Sequence, residues 1–451
     1  MMDYQDAWRY LDSLQFFKIK LGLDSMERFL GRLGNPHQGL PCLHVAGTNG
    51  KGSTAAALLA ILAGAGYRVG LYTSPHLSCV RERFRLNGRL ITEAEFAALA
   101  SRIHGVLAGE QITYFEFTTA LALLWFAEQK VDLAIMEVGM GGRLDATNVI
   151  QPLVGVITNV SMDHQAYLGH TLAEVAAEKA GIIKAGVPLV SGVAADISRE
   201  VVAARCRELG APLFLLGRDF FWHSDPATEQ LEVSPGNRRD GEHARWSYQG
   251  LHTAYQGLHG NLRGLHQRDN LSLALATLEL LAPRLPVAEA AVRAGLTAVK
   301  WPGRLELLNW QRPEASESGP RRLLLDGAHN PAGAATLAAA LTTGFPRRKL
   351  LMVWASMADK EVAATLALVA PLCDIFIFTR PESERSATAE LLIEALPPEL
   401  RSRAVAAAGV EAALLKAWDL AGTDDLIVVA GSLYLVGAAR RLVLGEVRDD
   451  D

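Results

Sequence analysis

Cysteine is scarce. There are four in 451 residues, Cys42, Cys79, Cys206 and Cys373, far apart and with no CxxC pair. That spacing argues against a disulfide framework and against a thiolate zinc site, and it fits a reducing compartment. An excess of positive charge is also missing: the formal net charge is -5. A chain built to neutralise a phosphate backbone carries the opposite balance, so nucleic acid is excluded as an expected partner. Long apolar runs are absent too. The two most apolar, AAALLAILAGAG (55–66) and IVVAGSLYLVGAA (427–439), are short and broken by glycine, so no membrane span is expected. The opening MMDYQDAWRYLDSL lacks a basic segment followed by an apolar core, so a secretory signal is not expected and the expected location is cytoplasmic.

What is present is apolar content in a repeating order. Half of the residues are hydrophobic, and the length allows two or three domains with large cores. The runs LPCLHVA (40–46), RVGLYTS (68–74), DLAIMEV (132–138), LVGVITNV (153–160) and VPLVSG (187–192) read as buried strands, with helical patterns between most of them. A second series follows: RRLLLD (321–326), KLLMVWAS (349–356), DIFIFT (374–379) and DLIVVAG (425–431). Alternation of this kind predicts parallel sheets with helices on both faces. The expected fold is α/β, a P-loop domain with a mainly parallel sheet over 1–298 and a smaller Rossmann-like α/β domain over 299–451. The pattern breaks at 217–250, a small antiparallel excursion or a long surface loop. RPEASESGPRR (312–322) reads as a solvated loop.

The stretch AGTNGKGS (46–53) follows a predicted strand and opens a predicted helix. Glycines there let backbone N–H groups converge on phosphate oxygens, and the helix start adds positive potential. Lys51 can reach the outer phosphates, and a hydroxyl just beyond it can ligate Mg²⁺. The match to the general pattern is partial. Val45 stands where a glycine is expected, and Gly52 separates Lys51 from Ser53. The competing reading is a glycine-rich turn with a solvated lysine. No guanine-reading NKxD and no LSGGQ is present.

The spacing GT-N-GK resembles the Mur ligase superfamily. TSPHL (73–77), EVGMGGRLDATN (137–148), DHQAYLGHT (163–171), EKAGIIK (178–184), LHQRDN (265–270), PGRLE (302–306), DGAHNP (326–331) and GSLYL (431–435) narrow the resemblance to folylpolyglutamate synthases and their dihydrofolate synthase relatives. It runs in order from about residue 40 to 440. The resemblance implies an ADP-forming ligase that adds L-glutamate to dihydropteroate and to folates through an acyl phosphate. It also implies ATP, two Mg²⁺ sites, small-molecule partners only and a monomer. The alternatives are polyglutamylation of folates alone, a cell-wall or cyanophycin-type ligase, and a P-loop switch without ligase chemistry.

Individual residues carry separate expectations. Gly47, Thr48, Asn49, Gly50, Lys51, Gly52 and Ser53 form the nucleotide loop, with Ser53 on the nucleotide-side Mg²⁺. Glu137, at the end of a strand beside the loop, can hold Mg²⁺ directly or through water; a solvated strand-end carboxylate is the alternative. The resemblance implies that Ser74, Glu137 and His164 share one ion, although histidine is an unusual Mg²⁺ ligand and His164 reads equally as a hydrogen-bonding loop residue. Thr171 and Glu174 form a capping box, which places Lys179 on a helix. Its plain reading is an exposed, paired lysine; the resemblance implies that it can be carbamylated. Arg304 and Asp326 are implied nucleotide contacts and Asn270 an adenine-side one. His329 and Ser432 are implied to serve the glutamate or the transferring phosphate, and Ser432 could instead be a simple helix cap. Phe115 and Arg143–Leu144–Asp145–Ala146 bear on the pterin, a ring to stack on and a carboxylate to bond an aminopyrimidine; packing and loop capping are their alternatives. Lys51, Lys179 and His329 are the candidate catalytic residues, and domain closure about 298–303 is expected.

Overall fold

The computed structural model describes residues 2–14, 22–225, 245–312, 319–358, 361–381 and 386–445. The first sheet contains β1 (Cys42–Ala46), β2 (Val69–Tyr72), β3 (Phe84–Leu86), β4 (Arg89–Leu90), β5 (Leu133–Glu137), β6 (Val154–Ile157), β7 (Leu189–Ser191) and β8 (Leu213–Leu215). Their order is β4-β3-β2-β5-β1-β6-β7-β8. From β2 to β8 every pairing is parallel; β3 and β4 add an antiparallel edge. β1 lies between β5 and β6, and its five residues are all buried. Side chains alternate across a strand, so Leu43 and Val45 face one layer and Cys42 the other. The first layer holds the helices Lys51–Gly64, His266–Leu281 and Glu289–Ala298. The second holds Tyr4–Ser13, Asp24–Arg32, Glu93–Leu107 and Tyr114–Glu128.

Strands β9 (Phe221–Ser224), β10 (Trp246–Gln249) and β11 (Ala254–Leu258) form a small antiparallel sheet. The antiparallel excursion is thus the alternative that holds at 217–250, with 226–244 outside the described residues. The second large sheet contains β12 (Glu306–Trp310), β13 (Arg321–Leu325), β14 (Leu350–Trp354), β15 (Ile375–Phe378), β16 (Ala404–Ala406) and β17 (Leu426–Ala430), in the order β12-β13-β17-β14-β15-β16. Only its β12–β13 pairing is antiparallel. Two apolar clusters cover its two faces. Among the described residues, no helix is long and apolar enough to cross a membrane.

The loops after parallel strands converge at the sheets' C-terminal edges, where open α/β sheets bind ligands. The two sheets bring these edges together. Asn330, which caps the helix Pro331–Gly344, donates from Nδ2 to Asp163 Oδ2 at 2.9 Å. Gln165 donates to Glu361 at 3.0 Å, and Arg441 to the Ser78 carbonyl at 3.2 Å.

Candidate active site

The loop from Gly47 to Gly50 turns β1 into its helix through two positive-φ glycines, Gly47 at 147° and Gly50 at 84°. Space makes the same demand. A Cβ on Gly47 would fall on Thr158 Oγ1, and one on Gly50 on Asn270 Oδ1. Sequence reasoning extends the neighbouring strand to residue 160, but β6 ends at Ile157 and the next residues brace the loop instead. Thr158 Oγ1 donates to the Asn49 carbonyl at 2.6 Å, and Asn159 Oδ1 accepts the Asn49 N–H at 2.9 Å. Thr48 Oγ1 and Ser161 exchange bonds at 3.0 Å. Lys51 opens the helix and donates to the carbonyls of Gly47 and Thr48 at 3.1 and 3.2 Å.

One cleft gathers residues 47–53, Ser74, Glu137, Asp163, His164, Lys179, Arg304 and His329. Glu137 is buried at the end of β5, in register with Val45 and thus beside the phosphate loop. Its carboxylate accepts the Ser74 N–H at 3.3 Å. Burial pushes its pKa up to about 7, against the pull of Lys51. Lys179 sits on the capped helix Leu172–Ala180, where Thr171 and Glu174 form the expected box. Its plain reading as an exposed lysine fails: it is 3% exposed, and burial, with Lys51 nearby, lowers its pKa to about 7. His164 lines the cleft from an exposed position at φ 50°.

Other candidates stand around that wall. Asp326 is buried and accepts the N–H groups of Leu305 and Ala328, both at 2.9 Å, so it pins the turn carrying Arg304. The His329 ring sits 2.8 Å from the Gly327 carbonyl through Nδ1 and 3.6 Å from Asp163 through Nε2. Asn270 is buried behind Gly50, its Nδ2 bonded to Gln267 at 2.9 Å. Ser432 occupies the cap position of the helix Leu433–Leu444, but its side chain makes no capping bond and its buried Oγ has no partner. The simple cap reading therefore does not hold. Phe115 packs its ring on Gly139 and lies 6.0 Å from Tyr72. Arg143 is exposed and pairs with Glu178 at 2.7 Å. Ala146 is buried, and Asp145 caps the 3-10 turn Ala146–Val149.

Sequence reasoning assigned no role to Asp163, Asn159, Thr158 or Trp301. Asp163 begins the motif DHQAYLGHT, which is its signal in the sequence. Thr158 and Asn159 fall within the run 153–160 and Trp301 just before PGRLE, but nothing local marks them as neighbours of the loop, to which only the fold brings them.

The donor set suits a hard cation carried with phosphates. Among the described residues no three His, Cys, Asp or Glu side chains cluster for a metal. The cleft instead offers two carboxylates, Glu137 and Asp163, and hydroxyls, including a buried Ser74 Oγ with no protein partner. Mg²⁺ is commonly held by one or two carboxylates together with water and substrate phosphates, and this set fits that arrangement.

Comparison with known proteins agrees with the geometry. Residues 45–203 match the Mur ligase middle domain and 303–433 the Mur ligase glutamate ligase domain. A dihydrofolate synthase/folylpolyglutamate synthase of Bacillus subtilis is 33% identical over 97% of this chain and 98% of its own length. Against a probable bifunctional folylpolyglutamate synthase/dihydropteroate synthase of Haloferax volcanii, at 35% identity, the chain spans 50% of the relative's length. The structure of E. coli FolC in complex with DHPP and ADP superposes with a TM-score of 0.85, at 30% identity, covering 98% of each chain. This chain belongs to the dihydrofolate synthase/folylpolyglutamate synthase family of Mur ligases.

Proposed function

We propose that this protein is an ATP-dependent, ADP-forming ligase that adds L-glutamate to dihydropteroate and to folates. The observation that carries the reading is the single cleft in which Lys51, Glu137 and Lys179 from the first sheet face Arg304 and His329 from the second. A switch NTPase needs the phosphate loop; a ligase also needs a second wall that presents another substrate to the same phosphate.

On this reading the substrate carboxylate attacks the γ-phosphorus of ATP, and ADP leaves. The glutamate amine then attacks the acyl carbon of the acyl phosphate, and inorganic phosphate departs. Lys51 and Arg304 place positive charge on the oxygens where negative charge develops. Ser53 would hold the nucleotide-side Mg²⁺, and Ser74, Glu137 and His164 a second ion; bound there, the metal neutralises phosphate charge. Asn270 lies on the adenine side, Asp326 holds the Arg304 turn, and His329 and Ser432 serve the glutamate side. Phe115 and the segment 143–146 form the pterin side.

Lys179 is proposed as a carbamylation site. At a pKa of about 7 it is substantially neutral amine at neutral pH, the form that adds to CO₂ with loss of one proton. We further take 1–298 and 299–451 as two units closing about 298–303. In support, the helix Glu289–Ala298 packs on the helix Lys51–Gly64, whereas β12 already belongs to the second sheet. The reading places the enzyme in the cytoplasm as a monomer.

The test is incubation with ATP, Mg²⁺ and L-glutamate, with dihydropteroate in one tube and tetrahydrofolate in another, and product detection by mass. New products in both tubes are expected. Product from tetrahydrofolate alone would restrict the enzyme to polyglutamylation. ATP turnover independent of glutamate, with no product, would overturn the reading.

A further inference from the structure

We infer that His44 is a positioning residue of this site: it orients Thr147, Thr147 orients Asp145, and Asp145 fixes the Gly139–Met140 backbone that walls the cleft. The inference rests on reading that cleft as the ligase site.

His44 is wholly buried in the middle of β1, an unusual place for a polar ring. Alternation along the strand turns it toward the same layer as Cys42 and away from that of Val45. There Nε2 meets Thr147 Oγ1 at 2.8 Å. Thr147 Oγ1 lies 2.5 Å from Asp145 Oδ1, which also accepts the Thr147 N–H at 3.0 Å. The other oxygen, Oδ2, accepts the N–H groups of Gly139 and Met140, each at 3.0 Å. Gly139 and Met140 both line the cleft, two and three residues beyond Glu137.

Proton counting fixes the direction of this chain. Burial raises the Asp145 pKa and the donors around it pull it back down; in its ionised form the carboxylate only accepts, and it offers about four lone-pair positions. Four donors occupy them. The single hydroxyl proton of Thr147 therefore goes to Asp145, so Thr147 must accept from His44. His44 then carries its proton on Nε2 and leaves Nδ1 bare. Nδ1 is indeed a buried atom without a partner. Burial, with Lys184 nearby, holds the imidazole neutral by lowering its pKa to about 3, so the same tautomer serves throughout the physiological range.

The test compares Thr147→Val, Thr147→Ser, His44→Leu and the double variant His44→Leu/Thr147→Val in the full-length enzyme. Measurements are kcat/KM for dihydropteroate and for ATP, with the thermal midpoint of each variant. Losing the oriented hydroxyl is expected to lower kcat/KM about tenfold, the scale of one hydrogen bond. The serine variant should stay within about twofold of the parent, and the double variant should be no worse than the worse single one. Multiplying losses, equal damage from serine and valine, or a valine variant with parental kinetics and only a lower midpoint would each overturn the proposal. If His44→Leu does not fold, the valine–serine pair decides alone. Glu137→Gln is the separate control: full turnover in that variant would sink the site reading rather than the chain of hydrogen bonds.

Discussion

Replacing Gly52 by serine would complete the lysine–hydroxyl pair of the general phosphate loop, and the structure predicts that it damages the enzyme. Gly52 sits in the first turn of a regular helix and is not among the positive-φ glycines, so its backbone would accept a side chain. The obstacle is Trp301. A Cβ at position 52 would lie 2.6, 2.7 and 2.7 Å from three atoms of the indole. Ordinary contact begins near 3.4 Å, so the ring must retreat by close to 1 Å. It is held in place by the Arg85 guanidinium 5.4 Å from its centroid and by the apolar cluster beneath. Overpacking of this kind costs about 1–3 kcal/mol. Trp301 lies three residues before Arg304, so the same displacement should reach the cleft wall that Arg304 lines. The assay measures urea unfolding and kcat/KM for ATP in G52S, W301A and the double variant. G52S is expected to lose about 2 kcal/mol of stability, within that overpacking range, and to weaken ATP use about tenfold. On the W301A background, where the ring is gone, the added cost of serine should fall below about 0.5 kcal/mol. An equal cost in both backgrounds would refute the argument and point to the loop backbone itself.

Two further outcomes follow from single residues. Asn330→Asp should keep the helix cap, because a carboxylate can accept the Gly333 N–H as Oδ1 does now at 2.8 Å. It should nonetheless lower turnover at least tenfold, the scale expected when a buried polar contact becomes a like-charge one, because the Nδ2 donor to Asp163 is replaced by a second negative charge; unchanged turnover would remove the contact between the two sheets from the mechanism. His44 makes stability pH-dependent. Its folded pKa, about 3, is below the ordinary 6.5, so the unfolded chain binds the extra proton between those values. Stability should therefore fall as pH drops from about 6.5 toward 3, by up to about 1.4 kcal/mol per pH unit from this group. Denaturant titrations of the parent and His44→Leu at pH 4 to 7 would show it as a difference in slope, and parallel slopes would contradict it.

Much of the architecture was legible because its signals are local. β6, β14 and β17 are continuous apolar runs, β1 and β5 are apolar except at His44 and Glu137, as suits strands buried on both faces, and all five fall inside the expected stretches. Thr171 and Glu174 mark a helix start that the structure reproduces. Short edge elements were not legible. β8 and β16 have three residues each and β4 has two, too few to show a period, and sheet neighbours rather than propensity hold them in place.

The sequence by itself determined the phosphate loop, the α/β alternation and the family, since these rest on residue types at fixed spacing along one segment. Only the tertiary structure decided the burial of Lys179, the unpaired hydroxyl of Ser432, the ring over Gly52 and the line from His44 to Asp145. Each of these depends on which distant segments meet. His44 and Thr147 are 103 residues apart, and Gly52 and Trp301 are joined only through the fold. Burial and hydrogen-bond partners are properties of such meetings. A residue's charge, its tautomer and the space beside its Cβ are therefore fixed once the chain has packed.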